Sequence, residues 1–149
     1  MIKKYFRFNW VLVEELAIGP APKDLNHLNI LKQKGIVSIL SLCNEDETNT
    51  PESLNELFSY KRIPLPDHRS GRLPDLEELK KAINVLEKLK LEGPVFVHCV
   101  AAMERSPLVC MGWLVKMHNL NPQEALEYLM QIHPGTNPLA GQFNLLGKL

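Results

Sequence analysis

The chain has 149 residues, 45% hydrophobic and 23% charged, and its 17 lysines and arginines balance 17 aspartates and glutamates. That is the size of one domain able to bury about two-thirds of its unfolded surface. The balanced charge leaves no global field to recruit nucleic acid or an anionic membrane. No apolar run approaches a membrane span, and none behind Lys3 and Lys4 is long enough for a signal peptide. The expectation is a cytoplasmic, monomeric protein with neither nucleic acid nor membrane as partner. Cys43, Cys99 and Cys110 are odd in number and lack short spacings, which suits neither a disulfide framework nor a zinc site.

In chain order, strands are expected at Trp10–Val13 and at Leu16–Ile18, the second broken by Gly19-Pro20. A short helix follows from Asp24, with Leu25, Leu28, Ile30 and Leu31 on its buried side and Gly35 as its stop. The run Ile36–Leu42 is apolar and rich in β-branched residues, as a buried strand would be. Asn44–Thr50 is acidic and polar and reads as a surface loop. Pro51–Phe58 suits a short helix and Tyr60–Ile63 a strand, and Pro64–Gly71 is punctuated as a loop.

Pro74 opens a helix through Leu91, ended by Gly93-Pro94. Val95–His98 reads as a short buried strand. Helices follow at Pro107–Met117, at Pro122–Ile132 with Asn121 as cap, and from Ala140 onward. Alternating strands and helices predict a single α/β domain, with a central, mainly parallel sheet flanked by helices. Ligands in such sheets sit beyond the carboxyl ends of strands, which directs attention to the residues after His98.

Those residues are Cys99-Val100-Ala101-Ala102-Met103-Glu104-Arg105-Ser106-Pro107. The stretch from Val100 to Glu104 is long enough for the backbone to curl into a nest of N–H groups around one centre. The helix near Pro107 adds its positive end to that centre. Arg105 offers a planar fork for two phosphate oxygens. In this field the Cys99 thiol is expected to ionise well below the ordinary ~8.5 of a free cysteine. The Ser106 hydroxyl is placed to donate to that sulfur and to help it leave.

This stretch resembles the His-Cys-x5-Arg-Ser/Thr signature loop of the protein tyrosine phosphatase superfamily. Leu16–Pro22, Leu31–Ile36 and the closing helices look like the small atypical dual-specificity phosphatases. The resemblance implies the cysteine-phosphatase fold and a two-step hydrolysis of phosphate monoesters without metal or cofactor. Cys99 would be the nucleophile, and Arg105 with the N–H groups of Val100, Ala101, Ala102, Met103, Glu104 and Arg105 would hold the phosphate. His98 would be a buried supporting residue.

The family also needs a general acid about thirty residues before the cysteine. Asp67 lies 32 positions upstream (99 − 67). Asp75 is its rival, although it stands where a helix begins. Cys43 matches a position at which relatives such as the phosphatase of regenerating liver carry a cysteine able to bridge to the nucleophile, and a buried structural thiol is the competing reading.

Two residues depart from the family pattern. Ala102 stands where glycine is usual, which would cost an αL position ~1 kcal/mol. Glu104 puts a carboxylate beside an anion site, weakening it unless turned outward. His68, Arg69 and Arg72 form a basic cluster that would greet an anionic substrate, and Asn137 and Gln142 resemble residues that the family brings near the pocket. His27, His118 and His133 read as ordinary, and Cys110 as core. The implied substrate is a phosphorylated protein or small phosphoester, phosphotyrosine first. A weakly active or inactive phosphate-binding module is the alternative, with Ala102 as its support, and sulfur or arsenate chemistry on a related cysteine loop is a more distant one.

Overall fold

The computed structural model describes residues 5–149, so Lys3 and Lys4 lie outside the described residues. The apolar runs become strands whose alternate side chains face opposite sides, and that alternation sorts the sheet into two covered faces. The elements are β1 (Asn9–Leu12), β2 (Leu16–Pro20), α1 (Leu25–Gln33), β3 (Ser38–Ser41), α2 (Leu54–Leu57), β4 (Ser59–Arg62), α3 (Leu76–Lys90), β5 (Val95–Cys99), α4 (Arg105–His118), α5 (Pro122–Ile132) and α6 (Ala140–Leu145). A 3₁₀ turn at Leu146–Lys148 closes the chain. The sheet order is β1-β2-β5-β3-β4, with β1 antiparallel to β2 and every other pair parallel.

Leu16, Ile18, Leu40, Val95 and Val97 point to one face, where α3, α4 and α5 cover them with Leu79, Ile83, Leu86, Val109 and Leu129. Ala17, Ile39 and Phe96 point to the other and meet Leu28 and Leu31 of α1 and Leu54 of α2. The central strand β5 is buried throughout and lies between β2 and β3. The carboxyl ends of β2, β5 and β3 thus open on one edge of the sheet. Among the described residues no helix is long and apolar enough to cross a membrane.

Several local expectations change. β2 continues through Gly19 and Pro20, which stand opposite His98 and Cys99. A Cβ at Gly19 would lie 2.4 Å from the Arg7 carbonyl oxygen and 2.8 Å from the Phe96 ring, so only glycine lets the strand pass. In α1, Asp24 caps the first turn, but Leu25 is exposed and Ile30 half-buried. Leu28 and Leu31 define the buried face, and Leu25 sits about 90° round the helix from its middle. Helix α4 begins at Arg105, two residues before Pro107, which the first turn tolerates because its N–H is unused there.

Candidate active site

β5 delivers Cys99 to the carboxyl edge of the sheet, and the chain turns through Val100–Glu104 before α4 begins at Arg105. Three of the loop's carbonyls are tied outward. Val100 O accepts from Ala21 N at 3.3 Å, Ala102 O from His133 Nε2 at 2.7 Å, and Met103 O from Asn137 N at 2.8 Å. In a planar trans peptide the N–H points opposite the C=O. Each tie therefore aims the N–H of the following residue (Ala101, Met103 or Glu104) into the turn. Among the described residues no hydrogen bond uses the N–H groups of Val100 to Glu104. Donors left unpaired around one centre, at a helix N-terminus, suit an anion. Ala102 is buried with φ 58°, so it takes the left-handed conformation despite its methyl group.

The Arg105 guanidinium is buried and held from two sides. Its Nη1 donates to the carbonyl oxygens of Leu42 (3.2 Å) and Leu65 (3.1 Å) and to Glu47 Oε1 (3.0 Å), and its Nη2 to Glu47 Oε2 (2.8 Å). These bonds hold the Glu47 carboxyl below its ordinary range. Burial works against the charge on Arg105, but the Glu47 bond and the surrounding negative groups outweigh it and keep the cation above its ordinary value. Glu47 lies in the acidic loop Asn44–Thr50, where nothing in the sequence distinguishes it from its solvated neighbours.

Asp67 lies on the loop after β4 and faces the same pocket as Cys99 and Arg105, a cavity of about 480 Å³. It accepts from Arg69 N (3.0 Å), Arg69 Nε (2.9 Å) and Ser70 Oγ (3.2 Å), and its Oδ2 is 3.8 Å from Arg105 Nη2. Burial pulls its pKa up, but the bonds from Arg69 and Ser70, with Arg105 beyond, outweigh that and leave the carboxyl below its ordinary value. Asp75 instead caps α3, accepting from Glu78 N at 2.8 Å in a reciprocal capping box.

Of the two unusual loop residues, Ala102 keeps its left-handed strain, and Glu104 lines the pocket rather than turning away from it. Glu104 is the last residue before α4; its Oε1 accepts from Gln142 Nε2 and its Oε2 pairs with His68 Nδ1, each at 2.8 Å. Gln142 is buried, and its Oε1 in turn accepts from Leu139 N at 2.8 Å. The carboxylate that threatened the anion site is thus held by two side chains. The basic cluster does not act as a unit. His68 and Arg69 line the pocket, while Arg72 pairs with Glu78 at 2.7 Å beside the α3 cap.

His98 is buried, its Nδ1 lies 3.0 Å from Cys99 O, and burial, against that bond, lowers its pKa to about 4. It is neutral near pH 7 and so offers no charge to the site. Cys43 is free, buried in the same cluster as Cys99, and pushed up by burial to about 11. Cys110 is buried in α4. The expected bond from Ser106 to the sulfur is not made: its Oγ is buried and, among the described residues, has no hydrogen-bond partner. His133, read from the sequence as ordinary, is fully buried and bonds to the loop. Its lone position at the end of α5 carries no sequence signal of that role.

The arrangement has relatives. The family described as dual specificity phosphatase, catalytic domain, matches residues 18–148. The chain is 29% identical over 139 residues to dual specificity protein phosphatase 8 of Mus musculus, covering 93% of this chain and 20% of that protein. It is 30% identical over 128 residues to dual specificity protein phosphatase 6 of Homo sapiens, covering 85% of this chain and 32% of that one. It therefore spans between a fifth and a third of these relatives' length. The crystal structure of Tk-PTP in the active form shares the fold, with a TM-score of 0.82 at 21% identity over 95% of each chain. So does the human tyrosine phosphatase-like serine/threonine/tyrosine-interacting protein, with a TM-score of 0.79 at 21% identity, over 95% of this chain and 93% of that one. With the match running from β2 to the closing turn, the chain belongs to the dual specificity phosphatase catalytic-domain family.

Proposed function

We propose that the protein hydrolyses phosphate monoesters, phosphotyrosine first and phosphoserine or phosphothreonine second, through a phosphocysteine. The observation that carries this reading is the set of N–H groups in the Cys99–Arg105 turn that are unpaired among the described residues, set against a cysteine, an arginine and an aspartate in one pocket. Cys99 Sγ attacks phosphorus as the thiolate, the ester oxygen leaves, and Asp67 gives that oxygen its proton. A water molecule then attacks the phosphocysteine, Asp67 takes its proton, and the sulfur departs. Throughout, Arg105 and the N–H groups hold the non-bridging oxygens where charge develops. Ser106, whose buried hydroxyl has no partner among the described residues and does not bond the sulfur in this state, is proposed to donate to it only as it departs.

Val100, Met103 and Leu139 stand exposed at the pocket and offer apolar surface to an aromatic leaving group. The loop carries no lysine, which argues against a highly charged lipid headgroup. A cytoplasmic, monomeric protein needing neither metal nor cofactor completes the proposal. Turnover of p-nitrophenyl phosphate tests it, with an expected loss to background in Cys99→Ser. Profiling Asp67→Ala/Cys99→Ser against phosphopeptides, phosphoinositides and phosphoglucan then ranks substrates. A wild-type protein that binds oxyanions but turns nothing over, or a Cys99→Ser variant as active as wild type, would overturn it.

A further inference from the structure

The loop's least comfortable residue and its most unexpected partner are the same pair of atoms. Ala102 holds a left-handed φ of 58°, which an L-residue with a Cβ resists. Its carbonyl is gripped by a fully buried imidazole, His133, reached from a segment 31 residues further along the chain. The ring is itself oriented, because the Asn9 side-chain amide nitrogen lies 2.8 Å from its Nδ1. An amide N–H₂ only donates and a carbonyl only accepts. Nδ1 is therefore the acceptor, and Nε2 carries the hydrogen given to Ala102. Burial lowers the pKa of His133, opposed by the Ala102 bond and reinforced by Arg7, in keeping with one hydrogen on the ring.

We infer that His133, oriented by Asn9, is a positioning residue for phosphate binding, holding Ala102 left-handed so that the Met103 N–H faces the anion. The chain runs from Asn9 in β1 through the ring to the turn. It supplies from a side chain what a glycine would supply by its own freedom. This inference rests on reading the turn as a phosphate cradle.

The test compares two variants of similar polarity, read by tungstate affinity in calorimetry and by kcat and KM for p-nitrophenyl phosphate. The amide of His133→Gln reaches as far as Nε2 and keeps the bond to Ala102. That of His133→Asn reaches only as far as Nδ1 and loses it. His133→Asn is expected to weaken tungstate binding and raise KM about tenfold, the loss of one buried hydrogen bond. His133→Gln stays within about threefold of wild type. Combined with Ala102→Gly, His133→Asn costs less than about threefold, because glycine needs no holding.

An equal loss with and without Ala102→Gly, accompanied by an equal fall in melting temperature, would show a merely structural histidine and overturn the inference. So would unchanged tungstate affinity in His133→Asn. A wild-type protein that neither binds tungstate nor turns over substrate defeats the cradle reading and this inference together. Wild-type binding with no difference between the two variants defeats this inference alone.

Discussion

Replacing Glu47 by glutamine removes one charge and one acceptor from beneath Arg105 while conserving shape. In the native arrangement both Glu47 oxygens accept, at 2.8 and 3.0 Å, from a guanidinium that is only 3% exposed. In Glu47→Gln one oxygen still accepts, and an N–H₂ group faces Nη2, donor against donor. Arg105 keeps Leu42 O and Leu65 O, so it is not stranded, and the loss is that of one charge-assisted bond, about 1.5–3 kcal/mol. For a chain of this size that corresponds to a fall of roughly 5–10 °C in melting temperature. A guanidinium free to tilt also grips phosphate less well, so kcat/KM is expected to drop about 10- to 100-fold.

The pH dependence fixes the cause. The Glu47 carboxyl is depressed in the folded state, so its contribution is fully present above the unfolded value near 4.5. It is lost as pH falls through the lower folded value, where a protonated Glu47 resembles glutamine. The difference in unfolding free energy between wild type and Glu47→Gln is thus expected to be constant from pH 8 to about pH 5 and to narrow below it. Denaturant titrations at pH 7 and at pH 4 or below measure it. A gap that does not narrow, or an unchanged kcat/KM, refutes the role given to this carboxylate.

Three further outcomes are expected. Asp67→Asn lowers kcat about 10²- to 10⁴-fold, whereas Asp75→Ala costs about 1 kcal/mol of stability through the lost cap of α3 and leaves kcat unchanged; the reverse pattern would exchange the two aspartates. Arg69→Ala removes the side-chain bond and ion pair that help depress Asp67, while the backbone N–H of residue 69 and Ser70 Oγ still donate; the Asp67 pKa rises part of the way, and the alkaline limb of the kcat/KM profile, where the acid loses its proton, moves to higher pH. A limb that stays put separates Asp67 from that limb. Under mild peroxide Cys99 becomes a sulfenic acid, and Cys43 displaces water from it to give a Cys43–Cys99 disulfide. Because burial holds Cys43 as a thiol, with a pKa of about 11, its attack is the slow step. Mass mapping that finds persistent sulfinic acid on Cys99 and no bridge sinks this last expectation.

The strands and helices were legible because each apolar run carries its own period and its own stops. Ile36–Leu42 reads as strand from β-branching, and its middle, Ser38–Ser41, is β3, while Ile36, Val37 and Leu42 flank it; Asn121-Pro122 announces α5 by its cap and first-turn proline. The Cys99–Arg105 turn was legible because its parts are contiguous. Glu47 was not, because its effect depends on the Asn44–Thr50 loop meeting the first residue of α4, 58 positions further on, and an acidic stretch looks solvated until then. His133 escaped for the same reason. Gly19-Pro20, a break by composition, proved to be strand, paired with His98 and Cys99, and glycine stands there because a Cβ would meet the Arg7 carbonyl and the Phe96 ring. The partners of Glu104, Gln142 and His68, come to it from elsewhere in the chain and so could not be read beside it, although its carboxylate still lines the pocket.

Together these contacts form a charge arrangement that bears on how one aspartate would serve both steps of the proposed mechanism. Arg105 pairs with Glu47 at 2.8 Å, Arg69 with Asp67 at 2.8 Å, and the remaining diagonal approaches are 3.6 Å (Arg69–Glu47) and 3.8 Å (Arg105–Asp67). The bonds from Arg69 and Ser70, with Arg105 beyond, outweigh burial and favour Asp67 ionised in the empty pocket, which suits the second step and opposes the first. A phosphate entering beside Arg105 adds negative charge close to Asp67, and like charges disfavour the carboxylate. Substrate binding then pushes Asp67 toward the protonated form that the leaving oxygen requires. Departure of the leaving group with that proton returns Asp67 to the carboxylate that activates water. The Arg69 side-chain bonds limit how far it swings, which is why their removal is expected to move the pH profile without abolishing turnover.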